Sequence, residues 1–219
     1  MARTRRIDAV RPRHPSIRRS EGFKEQNIVV RIFAEGKATE PDYFNECIRG
    51  LIPGNVRCHV ESGGGEYRTL VGMAKREERR FPNAEIWIVA DTENRHSAEY
   101  APLEQWARGG VHRHLAVSNT MFEIWVLLHA EAKPNTSSAA AGRLRELMKR
   151  EYGSRCRYDG THKHLRGVVF TAEDVRRAIG RARQRRASFG GGDDKTVPRE
   201  TWCTTVDLLV ESITGDIGK

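Results

Sequence analysis

The chain has 219 residues, of which 38% are hydrophobic and 31% are charged, and no apolar run approaches the length of a membrane span. Its four cysteines are scattered without the paired spacing of a zinc site, which predicts reduced thiols in a cytoplasmic protein that has no membrane partner. The formal net charge of +9 and the sequence pI of about 9.7 favour a polyanionic partner such as nucleic acid.

The positive charge is concentrated at the amino terminus. Seven arginines and one aspartate within residues 1–20 contribute six of the nine net charges. Together with proline and serine, they predict a basic flexible arm over residues 1–26. Such an arm either follows phosphates without sequence preference or only keeps the chain in solution, and the sequence leaves both open.

Strand and helix patterns then alternate four times between residues 27 and 130. β-Branched and aromatic runs predict strands within 27–36 and at 55–62, 86–90 and 115–117. Apolar positions at helical spacing predict helices after each of them, beginning near residues 39, 67, 98 and 118. This alternation predicts an α/β fold, in which a parallel sheet is flanked by helices, for a core of residues 27–130.

The remaining chain, residues 131–219, shows no strand pattern. Helices are predicted at 139–151, 172–187 and 204–213, with a glycine-rich loop at 190–194. We expect a helical subdomain that packs against the sheet.

Acidic residues follow two of the predicted strands. Glu35 follows the first strand, and Asp91 and Glu93 follow the third. If these strands are parallel neighbours, the three carboxylates meet at the edge of the sheet where α/β proteins bind ligands. Mutual repulsion there predicts a divalent cation, Mg²⁺ or Mn²⁺. The alternatives are a Glu35 bonded to turn amides, an Asx-turn at Asp91 and a solvated loop at Glu93.

Four further residues are candidates near the same edge. Glu123 either has a chemical role or completes a helix capping box with Thr120. Lys37 either clamps a phosphate or is an exposed turn lysine. Ser118 and Asn119 either orient a phosphate or only terminate the fourth strand.

The helix predicted at 172–187 is rich in arginine. Arg177, Arg181 and Arg185 are each four residues apart and share one helix side, which favours contact with a phosphate backbone. Two other features have a structural interpretation: the glycines at 63–65 favour a flexible turn over a phosphate cradle, and His129 is expected to be a buried core histidine.

Several motifs, taken in this order, resemble a known family. Glu35-Gly36 and Asp91-x-Glu93 resemble the Toprim fold of topoisomerases, primases and several nucleases. The chain is more closely similar to the RloB-like family, through Ala34-Glu35-Gly36-Lys37-x-Thr39-Glu40-x-x-Tyr43-Phe44, Trp87-x-Val89-x-Asp91, Ser118-Asn119-x-x-Phe122-Glu123-x-Trp125-x-x-x-His129 and Thr204-x-Val206-x-x-Leu209-Val210. The resemblance covers roughly residues 27 to 213.

The resemblance implies a Toprim-like core and a metal-dependent nuclease that acts on DNA or RNA, tRNA among them, in bacterial antiphage defence. It implies a general acid/base role for Glu35, metal ligation by Asp91 and a further ligand at Glu123. Lys163 matches a basic position expected to contact nucleic acid. Toprim proteins usually carry an Asp-x-Asp motif, and in this chain the second acid of that motif is Glu93. The number of metal ions therefore stays open.

Other functions use the same residues. The chain could be a non-catalytic nucleic-acid-binding module, or a regulatory subunit that acts with an ATPase partner, since RloB-like proteins often occur beside one. Primase-like nucleotidyl transfer uses the same acids. A homo-oligomer is compatible with all of these functions.

Overall fold

The computed structural model describes residues 27–93, 97–131, 137–156, 158–159 and 163–215. The predicted basic arm, residues 1–26, and most of the loop before the helical region therefore lie outside the described residues. Within these ranges no helix is long and apolar enough to cross a membrane.

A single parallel sheet organises the described residues. Its strands are β1 (Ile28–Ala34), β2 (Val56–Ser62), β3 (Glu85–Asp91) and β4 (Arg113–Ser118). They are ordered β2-β1-β3-β4, and every pairing is parallel. The α/β fold predicted from the alternating pattern is confirmed. Parallel order follows from the crossovers, because each strand is joined to the next through at least one helix.

Helices cover both faces of this sheet. They are α1 (Thr39–Asp42), α2 (Tyr67–Arg80), α3 (Ala101–Arg108), α4 (Glu123–Leu127), α5 (Ser137–Tyr152), α6 (Ala172–Ala187) and α7 (Val206–Thr214). The bounds of α6 coincide with the prediction, because a capping box between Thr171 and Asp174 defines its start. In contrast, α1 is one turn that continues as a π-helical turn, and α4 is shorter than predicted.

Alternate residues of each strand serve two cores. Val30 and Ile32 of β1 face a core built with α4, α5, α6 and α7, whereas Phe33 faces a second core built with α2 and α3. Because both faces are covered, the strands read as continuous apolar runs in the sequence. The helices after residue 137 share their core with the sheet, and they position a second set of side chains at its carboxyl edge.

Candidate functional site

The order of the strands brings together the acids that follow β1 and β3. β1 and β3 are neighbours, with Ala34 opposite Val89, so both strands end at the same edge of the sheet. The backbone N–H of Asp91 donates to Glu35 Oε2 at 3.0 Å, across 56 positions of sequence. Glu35 therefore lies beside Asp91, and one of its oxygens accepts a hydrogen bond from the amide at the end of β3.

Five acidic residues line one cleft of about 580 Å³ at this edge. They come from the ends of β1 and β3 and from the starts of α1 and α4: Glu35, Glu40, Asp91, Glu93 and Glu123. The lining also includes Lys37, Lys163, His164 and two glycines of the 63–65 turn. We call this cleft the acidic pocket.

Glu40 is the acid that the sequence analysis did not single out. It is only 4% exposed, and its Oε1 accepts a hydrogen bond of 3.0 Å from the backbone N–H of Gly36. Burial raises its pKa to about 7, and the charges of Glu123 and Glu35 add to this. Its position in the first turn of α1 could have marked it as a candidate site residue. A glutamate at such a position usually indicates only a favourable interaction with the helix dipole.

Asp91 is the second acid of the pocket whose pKa is raised. Its Oδ1 atom is buried and has no hydrogen-bond partner among the described residues. Burial raises the pKa of this carboxyl well above its ordinary value, and the charges of Glu40 and Glu123 raise it further. The Tyr67 hydroxyl donates to the backbone oxygen of Asp91, which fixes the strand end against α2.

Glu123 points into the pocket and does not cap its helix. The residue before α4, Phe122, has no side-chain cap, and the hydroxyl of Thr120 has no hydrogen-bond partner among the described residues. The capping-box alternative is therefore wrong. Glu123 is 2% exposed, and its Oε1 accepts a hydrogen bond of 2.8 Å from the Tyr158 hydroxyl. Lys163 Nζ lies 3.3 Å from the same oxygen.

Lys163 thus belongs to the acidic pocket. Burial lowers the pKa of its ammonium group, but the neighbouring Glu123 outweighs this, so the pKa is raised and the charge is retained. Sequence reasoning gave no signal for Tyr158, which lies 35 positions from Glu123 and meets it only through the fold.

Glu93 and Lys37 lie at the exposed rim of the acidic pocket. Glu93 follows β3 with a positive φ of 40°, and its backbone N–H donates to Thr120 O at 2.9 Å. Lys37 passes close to the glycine turn, since a Cβ built on Gly64 would lie 3.8 Å from Lys37 Cε. Both side chains therefore border the opening through which a ligand would enter.

The donor set suits a hard divalent cation in its chemistry, because it consists of carboxylate oxygens and includes the buried, unbonded Oδ1 of Asp91. Among the described residues, however, no three Asp, Glu, His or Cys side chains are grouped closely enough to hold an ion as they stand. Binding of a cation here requires at least one carboxylate to reorient, and Glu35 is presently turned to a backbone amide.

Ser118 and Asn119 lie beside the pocket and do not line it. The buried hydroxyl of Ser118 is 3.0 Å from Thr204 Oγ1. Asn119 Oδ1 accepts a hydrogen bond of 2.9 Å from Thr92, and its amide nitrogen donates to Pro198 O at 3.2 Å. These bonds fasten the end of β4 to the C-terminal segment, and a contact with phosphate by either residue stays a prediction.

The three arginines of α6 that were predicted to share one helix side make contacts within the protein. Arg177 Nε donates to His129 O at 3.2 Å, and Arg181 donates to Leu128 O at 2.7 Å, so both cap the carbonyl end of α4. Arg185 donates to Thr201 O at 3.1 Å. These contacts account for the arginine density without a nucleic acid, whose contact with these residues stays a prediction.

His129 is the buried core histidine that its apolar neighbours predicted. Its ring lies 3.1 Å from the Tyr43 hydroxyl and bonds to two carbonyls of α4. Burial lowers its pKa to about 4, so the ring is neutral at physiological pH.

Comparison of the chain with known proteins identifies its family. Neither a search of the curated proteins nor a search of the solved structures found a match. A family model described as RloB-like protein matches residues 30–213, which include β2, β3, β4, most of β1 and every acid of the pocket. The chain therefore belongs to the RloB-like family.

Proposed function

We propose that this protein is a metal-dependent nuclease that hydrolyses phosphodiester bonds in DNA or RNA, with tRNA among the candidate substrates. One observation carries the proposal: acids from separate elements line a single pocket, where the pKa values of Asp91 and Glu40 are raised. Carboxylates brought together in this way either take up protons or share a cation.

Asp91, Glu123, Glu35 and Glu93 are the proposed ligands of Mg²⁺ or Mn²⁺. Such an ion, when bound, neutralises charge on the scissile phosphate and lowers the pKa of an attacking water. Asp91 is suited to anchor the ion. Its backbone is held at the end of β3 by the bond from Tyr67, and its Oδ1 atom has no hydrogen-bond partner among the described residues.

Glu35 has a second role in proton transfer, and the two lysines of the pocket position the substrate. Glu35 accepts or returns a proton at an oxygen of the reacting phosphate, since its carboxylate lies beside Asp91 at the pocket wall. Lys37 at the rim and Lys163 inside supply positive charge to the phosphate. The bond from Tyr158 keeps Glu123 directed into the pocket when Lys163 turns to the substrate.

The proposal extends to antiphage defence together with an ATPase partner, because these are the settings associated with RloB-like proteins. The family membership supports this extension. The acidic pocket by itself supports only the proposed hydrolysis and not the biological role.

Cleavage assays test the proposal. The full chain is incubated with end-labelled tRNA, single-stranded RNA, single-stranded DNA and duplex DNA, in Mg²⁺ or Mn²⁺ and in chelator. We expect metal-dependent cleavage that Asp91→Asn lowers by at least about 100-fold, the scale on which loss of a transition-state contact is measured. The matched control is Glu61→Gln, an exposed glutamate near the end of β2 and outside the pocket. Cleavage that survives both chelator and Asp91→Asn would refute the proposal.

Metal binding is measured separately, by Mn²⁺ titration followed through electron paramagnetic resonance. Asp91→Asn and Glu123→Gln should each weaken Mn²⁺ binding, and Glu61→Gln should leave it unchanged. The protein is assayed by itself and together with the ATPase partner. If in both cases it binds metal and nucleic acid without cleaving the nucleic acid, the non-catalytic alternative is correct and the nuclease proposal is wrong.

A further inference from the structure

A row of cations runs along the exposed side of α2. Arg68, Lys75 and Arg79 are all exposed. At 3.6 residues per turn they fall within about 40° of one another around the helix axis, and they span about 16 Å along it. Gly72 lies on the same stripe, and a Cβ there would meet nothing within 4 Å. We call these three residues the basic row.

The basic row has no acidic partners among the described residues. The two acids of α2 interact elsewhere: Glu77 pairs with Arg31 and Arg80, and Glu78 pairs with Arg113 at 2.7 Å. No ion pair within the described ranges involves a member of the row. The three guanidinium and ammonium groups therefore face solvent with their charges uncompensated.

Two features of this arrangement oppose the stability of the helix, whereas Arg79 lies in the last turn, where the helix dipole favours a cation. Arg68 lies in the first turn, where the helix dipole disfavours a cation. Lys75 and Arg79 are four residues apart, where like charges repel each other. An anionic partner outside the chain would reverse both effects.

The basic row begins at the acidic pocket. The glycine turn that lines the pocket leads directly into α2, and Tyr67, the first residue of the helix, bonds to Asp91. Because α2 returns between two parallel strands, it runs from the carboxyl edge of the sheet towards the opposite edge. Arg68 thus lies at the end of the row nearest to the acids, and Arg79 lies at the far end.

A groove between α2 and α3 accompanies the first half of the row. It has a volume of about 450 Å³. Its lining consists of three cations (Arg68, Lys75 and Arg113), Val71 of α2, and Pro102, Gln105 and Trp106 of α3. Cationic groups beside apolar surface suit a chain in which phosphates alternate with sugars. Three cations in one row can contact about three phosphates of one strand.

We propose that the basic row holds the phosphate backbone of a nucleic acid and leads it to the acidic pocket. The choice of nucleic acid as the polyanion rests on the proposed function, because the row begins beside the acidic pocket where that function places the reacting phosphate. Backbone contacts of this kind give affinity without distinguishing DNA from RNA.

The test compares two triple variants of the full chain that lose the same charge. One carries Arg68→Gln, Lys75→Gln and Arg79→Gln. The matched control replaces three exposed cations on β2 and α5 by glutamine: Arg57, Arg145 and Lys149. Binding of labelled single-stranded and duplex oligonucleotides is followed by fluorescence anisotropy in chelator, between about 50 and 200 mM salt. Thermal unfolding confirms that both variants fold.

We expect the row variant to lose about one unit of salt slope per removed phosphate contact, or about three in all, and to bind at least ~10-fold more weakly. The control should keep the slope of the natural chain. The inference is overturned if the natural chain does not bind, if the row variant keeps its slope, or if the control loses as much. It is also overturned if poly-glutamate displaces the oligonucleotide as well as unlabelled oligonucleotide does.

Failure of the nuclease proposal gives a different result. Because binding is measured in chelator, it does not depend on the metal or on turnover. Loss of binding in the row variant, without cleavage under any condition, would refute the nuclease and leave the basic row as a nucleic-acid surface.

Discussion

The contact between Gly36 and Glu40 gives a prediction of stability that can be worked from distances. A Cβ placed on Gly36 would lie 2.0 Å from Glu40 Oε2 and 2.5 Å from its carboxyl carbon. Since the backbone of Gly36 is outside the left-handed region, the cost of Gly36→Ala arises from this contact and not from φ. The buried carboxyl must move, and it then loses the 3.0 Å hydrogen bond from the Gly36 N–H.

The expected magnitude combines three contributions. Loss of a hydrogen bond between buried groups costs about 1–3 kcal/mol. Crowding of a packed site costs about 1–3 kcal/mol, and the smaller conformational entropy of the unfolded alanine chain returns about 0.4–1 kcal/mol. We expect Gly36→Ala to lower the free energy of unfolding by a net amount of about 2–4 kcal/mol.

Urea denaturation in chelator, followed by circular dichroism, measures this change. Gly72→Ala is the matched control: its Cβ meets nothing within 4 Å, and it replaces a glycine inside α2, so it should stabilise the protein by about 0.5–1 kcal/mol. In a Glu40→Ala background the cost of Gly36→Ala should fall below about 1 kcal/mol, because its clashing partner is gone. A cost below about 1 kcal/mol in the natural chain, or an equal cost in both backgrounds, would refute the reasoning.

Three further predictions concern the helical part of the core. Arg186 and Asp207 form a buried ion pair, so Arg186→Met should cost about 3–5 kcal/mol in urea unfolding, and Asp207→Asn in the same chain should recover part of it. Arg181→Gln should cost about 1–2 kcal/mol in urea unfolding through the lost bond to Leu128 O. Because burial lowers the pKa of His129 from 6.5 to about 4, only the unfolded chain takes up this proton between those values; stability should fall by about 3 kcal/mol as pH drops from 6.5 to 4, and His129→Gln should flatten that pH profile.

The fold could be predicted because both faces of the sheet are buried. Burial on two sides makes each strand an apolar run, and a helix between successive runs leaves parallel pairing as the simple solution. The π-helical turn after α1 could not be predicted, because the apolar spacing there still looks helical. Its last residue, Cys47, accepts a hydrogen bond from the distant Phe170 N–H, a contact that no local pattern specifies.

The site was predictable where it depends on strand ends. Glu35 and Asp91 follow apolar strands, so neighbouring strands suffice to bring them together. Glu40 was not predictable, because its direction is set by the close approach to Gly36 and by burial. The contacts of Glu123 with Tyr158 and Lys163 join positions 35 and 40 residues apart, which no local pattern specifies.

The arginines show the same limit in another form. On α6 they are dense in sequence, but the fold places the end of α4 beside Arg177 and Arg181, whose guanidinium groups bind its carbonyls. On α2 two acids, Glu77 and Glu78, stand among five cations, and the sequence analysis did not single this helix out. The fold turns these acids to other partners, and the charge of the basic row is left uncompensated. Sequence density therefore predicts where cations are, and tertiary structure decides which of them face a partner.

The acidic pocket and the basic row have opposite effects on an approaching phosphate. The row attracts a nucleic acid along α2, whereas the carboxylates at its end repel the phosphate that arrives there. Within the proposed function a cation at the pocket removes this repulsion, so cation and nucleic acid each strengthen the binding of the other by the same factor. The pocket then selects for metal before chemistry, while the row supplies affinity that needs no metal. One short segment, from the glycine turn through α2, joins the two surfaces directly.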